Sequence, residues 1–199
     1  NDNAADEIVV GDGSDDITIT DTTGNDGEAS TAIDIIDASA GVAANDGQDT
    51  ITGFDTGEDL YYFLGGAAGD NTAESASGVG VFESVGVSQV AATPYDLGSA
   101  GSGVVTTTTT DVVELVSGNT FAADLSSSTT GSELLKYLGV TGSAATEITV
   151  TDDLDQFFII AYDGGNAYLY HAVEDLGTNS LSDTDITLKA VFAGIDDGG

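Results

Sequence analysis

The sequence predicts an all-β protein on three observations. The apolar residues are mostly Val, Ile, Leu, Phe and Tyr, with abundant Thr, a set that suits a pleated, half-buried surface better than a helix. They come in short bursts and not in a stripe of helical period. Between the bursts stand Gly, Asp, Asn and Ser, the residues of tight turns, while Pro occurs once in 199 residues. With 40% of the chain hydrophobic, a packed core is within reach.

The elements follow in order. EIVV from Glu7, DITIT from Asp16, AIDII from Ala32, DTIT from Asp49 and LYYFL from Leu60 are separated by acidic, glycine-bearing turns. That spacing fits successive coils of a short parallel β-roll or a small meander, and marks residues 1–64 as an acidic Gly/Asp repeat segment. Residues 65–103 form a Gly-, Ala- and Ser-rich connection with VGVF at 79–82 and Pro94 as its breaks. Residues 104–199 read as a β-rich C-terminal domain with sandwich-like strands, separate from the first segment or continuous with it. Its first stretch, Val104 to Val116, is β-branched and carries five consecutive threonines, so it could offer an edge for pairing with another molecule.

One short helix is expected. Thr130 and Glu133 have capping-box spacing, SELLKYL follows, and Gly139 stands where a helix stops, which would bury Leu134, Leu135 and Leu138. After EITVT, the strands DQFFIIAY and NAYLYHAV flank Asp163, Gly164 and Gly165, the signature of a hairpin. DQFFIIAY is apolar on both faces and belongs inside a sheet. ITLKAVFAG supplies the last strand.

Charge narrows the function. Thirty-five acids face two cations, Lys136 and Lys189, for a net charge of −33. Such a chain has no means of binding nucleic acid or an anionic membrane surface directly, and no apolar run approaches the ~18 residues of a spanning helix. The carboxylates also repel one another, so folding needs high salt or bound cations. Of the acids 26 are Asp, and 13 of these lie in the first 60 residues among glycines. Salt-adapted surfaces use Glu as readily; a short Asp beside Gly suits an oxygen-ligand loop. Cysteine is absent, which removes disulfides and thiolate chemistry. The acidic start NDNAADE has no signal-peptide character, so an exported protein would carry that signal elsewhere or have lost it.

Two nonapeptides carry the cation chemistry. VGDGSDDIT, residues 10–18, and ANDGQDTIT, residues 44–52, share a glycine turn, an aspartate two residues later, and an isoleucine two residues after that. Glycine permits backbone conformations that aim carbonyls inward, the aspartate adds a carboxylate, and Ile17 or Ile51 anchors a strand. This pattern resembles the GGxGxDxUx repeat of repeats-in-toxin proteins, the calcium-binding C-terminal regions of type I secreted proteins, and is similar to bacterial surface-layer and adhesin proteins. Val10, Ala44 and Asn45 depart from its leading glycines.

The resemblance implies bound Ca2+, with Asp15 and Asp49 as carboxylate ligands and Gly11, Gly13, Asn45 and Gly47 as carbonyl-giving turn positions. Asp12 and Asp46 add a carboxylate or line the rim. TGNDGEAS, residues 23–30, is similar to a lengthened copy and adds Asp26. ITGFDTGEDLYYF, residues 51–63, is similar to the segment that follows such repeats, with Asp55 and Asp59 able to close another site. EDLGTNSLSDTD, residues 174–185, loosely resembles an EF-hand loop: Asp175, Asn179 and Asp183 fit one frame and Asp185 another, neither with a full ligand set.

Catalytic motifs are missing from the sequence. The single histidine, His171, alternates with Leu169 and Val173 as a sheet-face residue would; HExxH needs two histidines, and no GxSxG, Walker A or dinucleotide fingerprint occurs. The expectation is a non-enzymatic, secreted, calcium-binding structural protein or assembly module of a bacterial surface layer, adhesin or extracellular filament. It would fold on meeting calcium outside the cell and self-associate as a homo-oligomer. The alternatives are the C-terminal secretion and calcium-binding domain of a larger extracellular enzyme or toxin, and a halophilic binding domain without a specific metal.

Overall fold

The computed structural model describes residues 7–10, 13–19, 35–37, 48–54, 60–63, 79–81, 93–95, 104–105, 112–115, 123–137, 148–149, 156–173 and 181–195. It is an all-β structure with one α-helix among the described residues. The strands are β1 (Glu7–Val9), β2 (Asp16–Thr18), β3 (Ile35–Asp37), β4 (Asp49–Thr52), β5 (Leu60–Phe63), β6 (Val79–Val81) and β7 (Thr93–Tyr95). They continue with β8 (Val104–Val105), β9 (Val112–Leu115), β10 (Ile148–Thr149), β11 (Gln156–Asp163), β12 (Asn166–Val173) and β13 (Ile186–Ala193). The helix, α1, is Gly131–Tyr137.

The first five strands alternate between two sheets. β1, β3 and β5 pair in parallel in a four-stranded sheet of order β1-β3-β5-β6, while β2 and β4 pair in parallel in a seven-stranded sheet of order β2-β4-β13-β12-β11-β9-β7. A chain that returns to the same sheet on every second strand is winding in coils, the roll-like arrangement expected from the sequence. β4 continues the winding onto the C-terminal half by pairing in parallel with β13, Asp49 opposite Ala190 through Thr52 opposite Ala193. β8 and β10 form a separate parallel pair.

The C-terminal strands are longer because their sequence is apolar on both faces. β11 and β12 form an antiparallel hairpin whose register closes on Asp163 and Asn166. Gly164 and Gly165 fill its two-residue turn at φ 60° and 78°, the left-handed pair that matches strand twist. As the sequence predicts, β11 lies inside the sheet, between β12 and β9.

Two hydrophobic clusters cover the two faces of this sheet. The first joins Val10, Ile17, Ile19, Ile51 and Phe54 to Phe158, Ile160, Leu169, Ala190 and Phe192, with Ile8 of β1 packed against it. Phe54 meets Phe192 edge-on at 5.0 Å, which ties the turn after β4 to β13. The second cluster packs Leu125 and Leu134 against Ile159, Tyr168, Tyr170, Ala172, Ile186 and Leu188.

The helix meets the second face through a glycine. Gly131 is buried, and a Cβ there would stand 2.7 Å from Cβ of Ile186, so only hydrogen permits this approach. Leu134 is buried as expected, Leu135 is only half-buried at the margin of the second cluster, and Leu138 lies outside the described residues. The capping box does not form. The Glu133 carboxylate accepts from the Asp124 backbone N–H at 3.0 Å and from Lys136 at 3.1 Å, and the Thr130 N–H turns to the Ser128 hydroxyl at 3.2 Å. A loop donor from a neighbouring turn has displaced the local one.

Candidate metal site

The nonapeptide copies end up side by side. β2 pairs with β4 in the register Asp16 to Thr50, Ile17 to Ile51 and Thr18 to Thr52, which matches equivalent positions of the two motifs. Both isoleucines are buried in the first cluster, while Asp16, Thr18 and Thr52 point to solvent. The apolar position of each motif thus anchors its strand in the core.

Four hydrogen bonds join these copies beyond the strands proper. The Thr50 N–H donates to the Asp15 carbonyl at 2.8 Å, and the Ile19 N–H to the Thr52 carbonyl at 2.9 Å. The Gln48 N–H donates to the Ser14 hydroxyl at 3.1 Å, and the Asp15 N–H to Oδ1 of Asp49 at 3.1 Å. Gly13 sits at φ 119°, a conformation that side-chain-bearing residues rarely adopt. Gly53 closes the strand at φ 80°, and a Cβ there would overlap the Ile19 carbonyl oxygen.

The two paired aspartates differ in setting. Asp15 is half-buried, whereas Asp49 is 0% exposed with one carboxylate oxygen turned toward the neighbouring coil. Calcium takes about six to eight oxygens, and among the described residues no group of three or more acidic or histidine side chains is gathered to hold a metal. Gly11, Asp12, Asn45, Asp46 and Gly47, which would complete these turns, lie outside the described residues, as do Asp26, Asp55, Asp59, Asp175 and Asn179. What the described part provides is a register that sets Ser14 and Asp15 beside Gln48 and Asp49.

Asp183 and Asp185 occupy a turn before β13. Asp185 accepts from the N–H and the hydroxyl of Ser182, both at 2.7 Å, and its own N–H reaches back to the Ser182 carbonyl at 3.2 Å. The Asp183 carbonyl accepts the Gly131 N–H at 3.1 Å, so this turn also receives the start of the helix. Both residues therefore shape the approach to β13. The bonds to Ser182 occupy one oxygen of the Asp185 carboxylate.

Beside Asp49, two further polar groups are buried, and the nonapeptide pattern gave no sign of them. Asp49, His171 and Lys189 are the buried polar or charged residues among those described. His171 stacks on Phe158 with ring centroids 4.9 Å apart, and its Nε2 has no hydrogen-bond partner. Burial, with the Lys189 charge adding to it, lowers its pKa to about 4, so the ring is neutral at pH 7. On the opposite face the Tyr170 hydroxyl is also buried without a partner, and burial raises its pKa. The sequence does hold a signal for Lys189: it is one of two cations in the chain and stands inside the apolar run ITLKAVFAG.

Comparison with family models, curated proteins and solved structures finds no match for this chain.

Proposed function

We propose that the protein is a secreted, calcium-binding structural module, without catalytic activity, of a bacterial surface layer, adhesin or extracellular filament. The observation that supports this reading best is the in-register parallel pairing of the nonapeptide copies, Ile17 beside Ile51, within a winding that alternates between two sheets. Coil stacking of that kind brings consecutive Gly/Asp turns to one edge, where shared cations can neutralise carboxylates that would otherwise repel. Asp15 and Asp49, with the turn residues Gly11, Asp12, Gly13, Asn45, Asp46 and Gly47, are the groups proposed to meet the ion.

The mechanism is a calcium switch. With little calcium present, a chain of net charge −33 repels itself and the short N-terminal coils stay open; at millimolar calcium they close. Each site filled to ten times its dissociation constant adds about 1.4 kcal/mol, so a few sites are comparable with the whole stability of a small domain. Calcium titration followed by circular dichroism, with melting in calcium and in chelator, tests the reading. Gain of strand signal and a higher Tm in calcium are expected; identical curves in both would reject it. Equal stabilisation by any salt at high concentration would favour the halophilic alternative.

A further inference from the structure

We infer that the cleft between the two nonapeptides and the segment before α1 binds a neutral saccharide. The pairing of β13 creates this cleft. Along the edge of β13 that faces away from β12, Thr130 bridges Thr187 and the Thr129 carbonyl accepts the Leu188 N–H at 2.9 Å, whereas β4 takes over from Ala190, opposite Asp49. Two segments thus lie end to end on one strand edge. Between them opens a space of about 490 Å3, within the ~300–1,000 Å3 of small-molecule sites.

Each wall offers hydrogen-bonding groups without charge. Ser14 and Gln48 form the nonapeptide side, tied together by the bond from the Gln48 N–H to the Ser14 hydroxyl at 3.1 Å. Thr129 and Thr130 form the side toward the helix, and Thr184 and Thr187 come from the chain entering β13. These four threonines and Ser14 are exposed, so their hydroxyls stand ready to donate and to accept, and the Gln48 amide can do both at once. Ile186 and Leu188, buried in the second cluster, add apolar surface to the same cleft.

The chemistry of the lining selects the ligand class. A cation needs carboxylates, and the described residues that line the cleft carry no charged side chain. An anion is repelled by a chain of net charge −33, with Asp15 next to Ser14 and Asp183 next to Thr184. A neutral molecule with many hydroxyls meets neither obstacle. Its O–H groups pair with the hydroxyls and the amide, while its C–H faces rest on Ile186, Leu188 and the threonine methyl groups. One wall belongs to the N-terminal coils and the others to the C-terminal half, so closing of the coils completes the site. Only this calcium dependence rests on the functional reading above; the cleft stands on its geometry.

Isothermal titration of the full chain, in calcium and in chelator, tests the site with neutral hexasaccharides of glucose, mannose and galactose and with hexagalacturonate as the acidic control. At least one neutral hexasaccharide should bind in calcium and hexagalacturonate should not. Gln48→Ala and Thr187→Val, on facing walls, should each weaken that binding by about fivefold or more, with Tm within about 2 °C of wild type. Thr129→Val repeats the test on the helix side. The inference is overturned if no neutral hexasaccharide binds up to about 10 mM, if the acidic one binds more tightly, or if all three variants bind as wild type does. Binding that is equal in calcium and chelator yet weakened by the variants keeps the cleft and removes the calcium dependence. Coils that order in calcium without any saccharide binding keep the functional reading and reject the cleft.

Discussion

The N-terminal coils and the C-terminal hairpin sheet are built from opposite materials. β11, β12 and β13 are eight residues each, antiparallel, and joined in the case of β11 and β12 by a two-residue turn. β1 to β5 are three or four residues each, parallel, and paired with strands far along the chain, Glu7 with Ile35 and Asp16 with Thr50. Local antiparallel pairing recovers its ordering entropy early, whereas each parallel coil must close a long loop first. The acid density runs the same way: carboxylates crowd the coils and are sparse in the hairpin. In the calcium reading proposed above, one half stands by hydrophobic burial and the other needs a partner and neutralised charge.

Four substitutions sharpen this contrast, from the largest expected effect to the smallest. Gly53→Ala forces a Cβ onto the Ile19 carbonyl at a positive φ and should cost about 3 kcal/mol or more. Hydrogen exchange should then show lost protection at residues 7–63 with β11 and β12 still protected; uniform loss would mean that the halves are not distinct.

The next effect belongs to the hairpin sheet and depends on pH. The folded pKa of His171 is lowered to about 4 from 6.5, so above pH 6.5 both states hold a neutral ring and no penalty exists. As pH falls from 6.5 to about 4 the unfolded state takes up the proton first, and stability declines by about 3 kcal/mol before levelling off. His171→Leu should remove this component, seen as the wild-type minus variant difference in urea melts between pH 7 and pH 4. A difference that does not vary with pH would contradict it.

Gly131→Ala drives a methyl into Ile186 and should cost about 2 kcal/mol, read in Tm, while the coils and any calcium response are unchanged. Ser14→Ala removes the acceptor for the Gln48 N–H at an exposed turn and should cost about 1 kcal/mol or less, read by urea melting in calcium.

Legibility in the sequence followed the same divide. The hairpin was readable because its signals are local: an apolar run rich in aromatic and β-branched residues, two glycines, then a second apolar run. The coils were readable as a motif, since the glycine, aspartate and isoleucine spacing recurs at Asp15 and Asp49. The docking of β4 on β13 was not, because parallel pairing between distant segments leaves no local mark. The same holds for Lys189, whose burial depends on a bulge opposite Tyr170, and for Glu133, whose partner comes from the turn at Asp124 and not from its own helix. Asp49 shows the limit most sharply: the motif names it as a ligand position, but only the fold shows that it is fully buried.

The central claim is that calcium closes the N-terminal coils while the C-terminal sheet stands without it. Hydrogen exchange with mass spectrometry, in millimolar calcium and in chelator at equal ionic strength, measures both halves at once. The account predicts that peptides covering residues 7–63 gain protection in calcium while those covering 156–173 and 186–193 are protected in both. Equal exchange at residues 7–63 with and without calcium would contradict it.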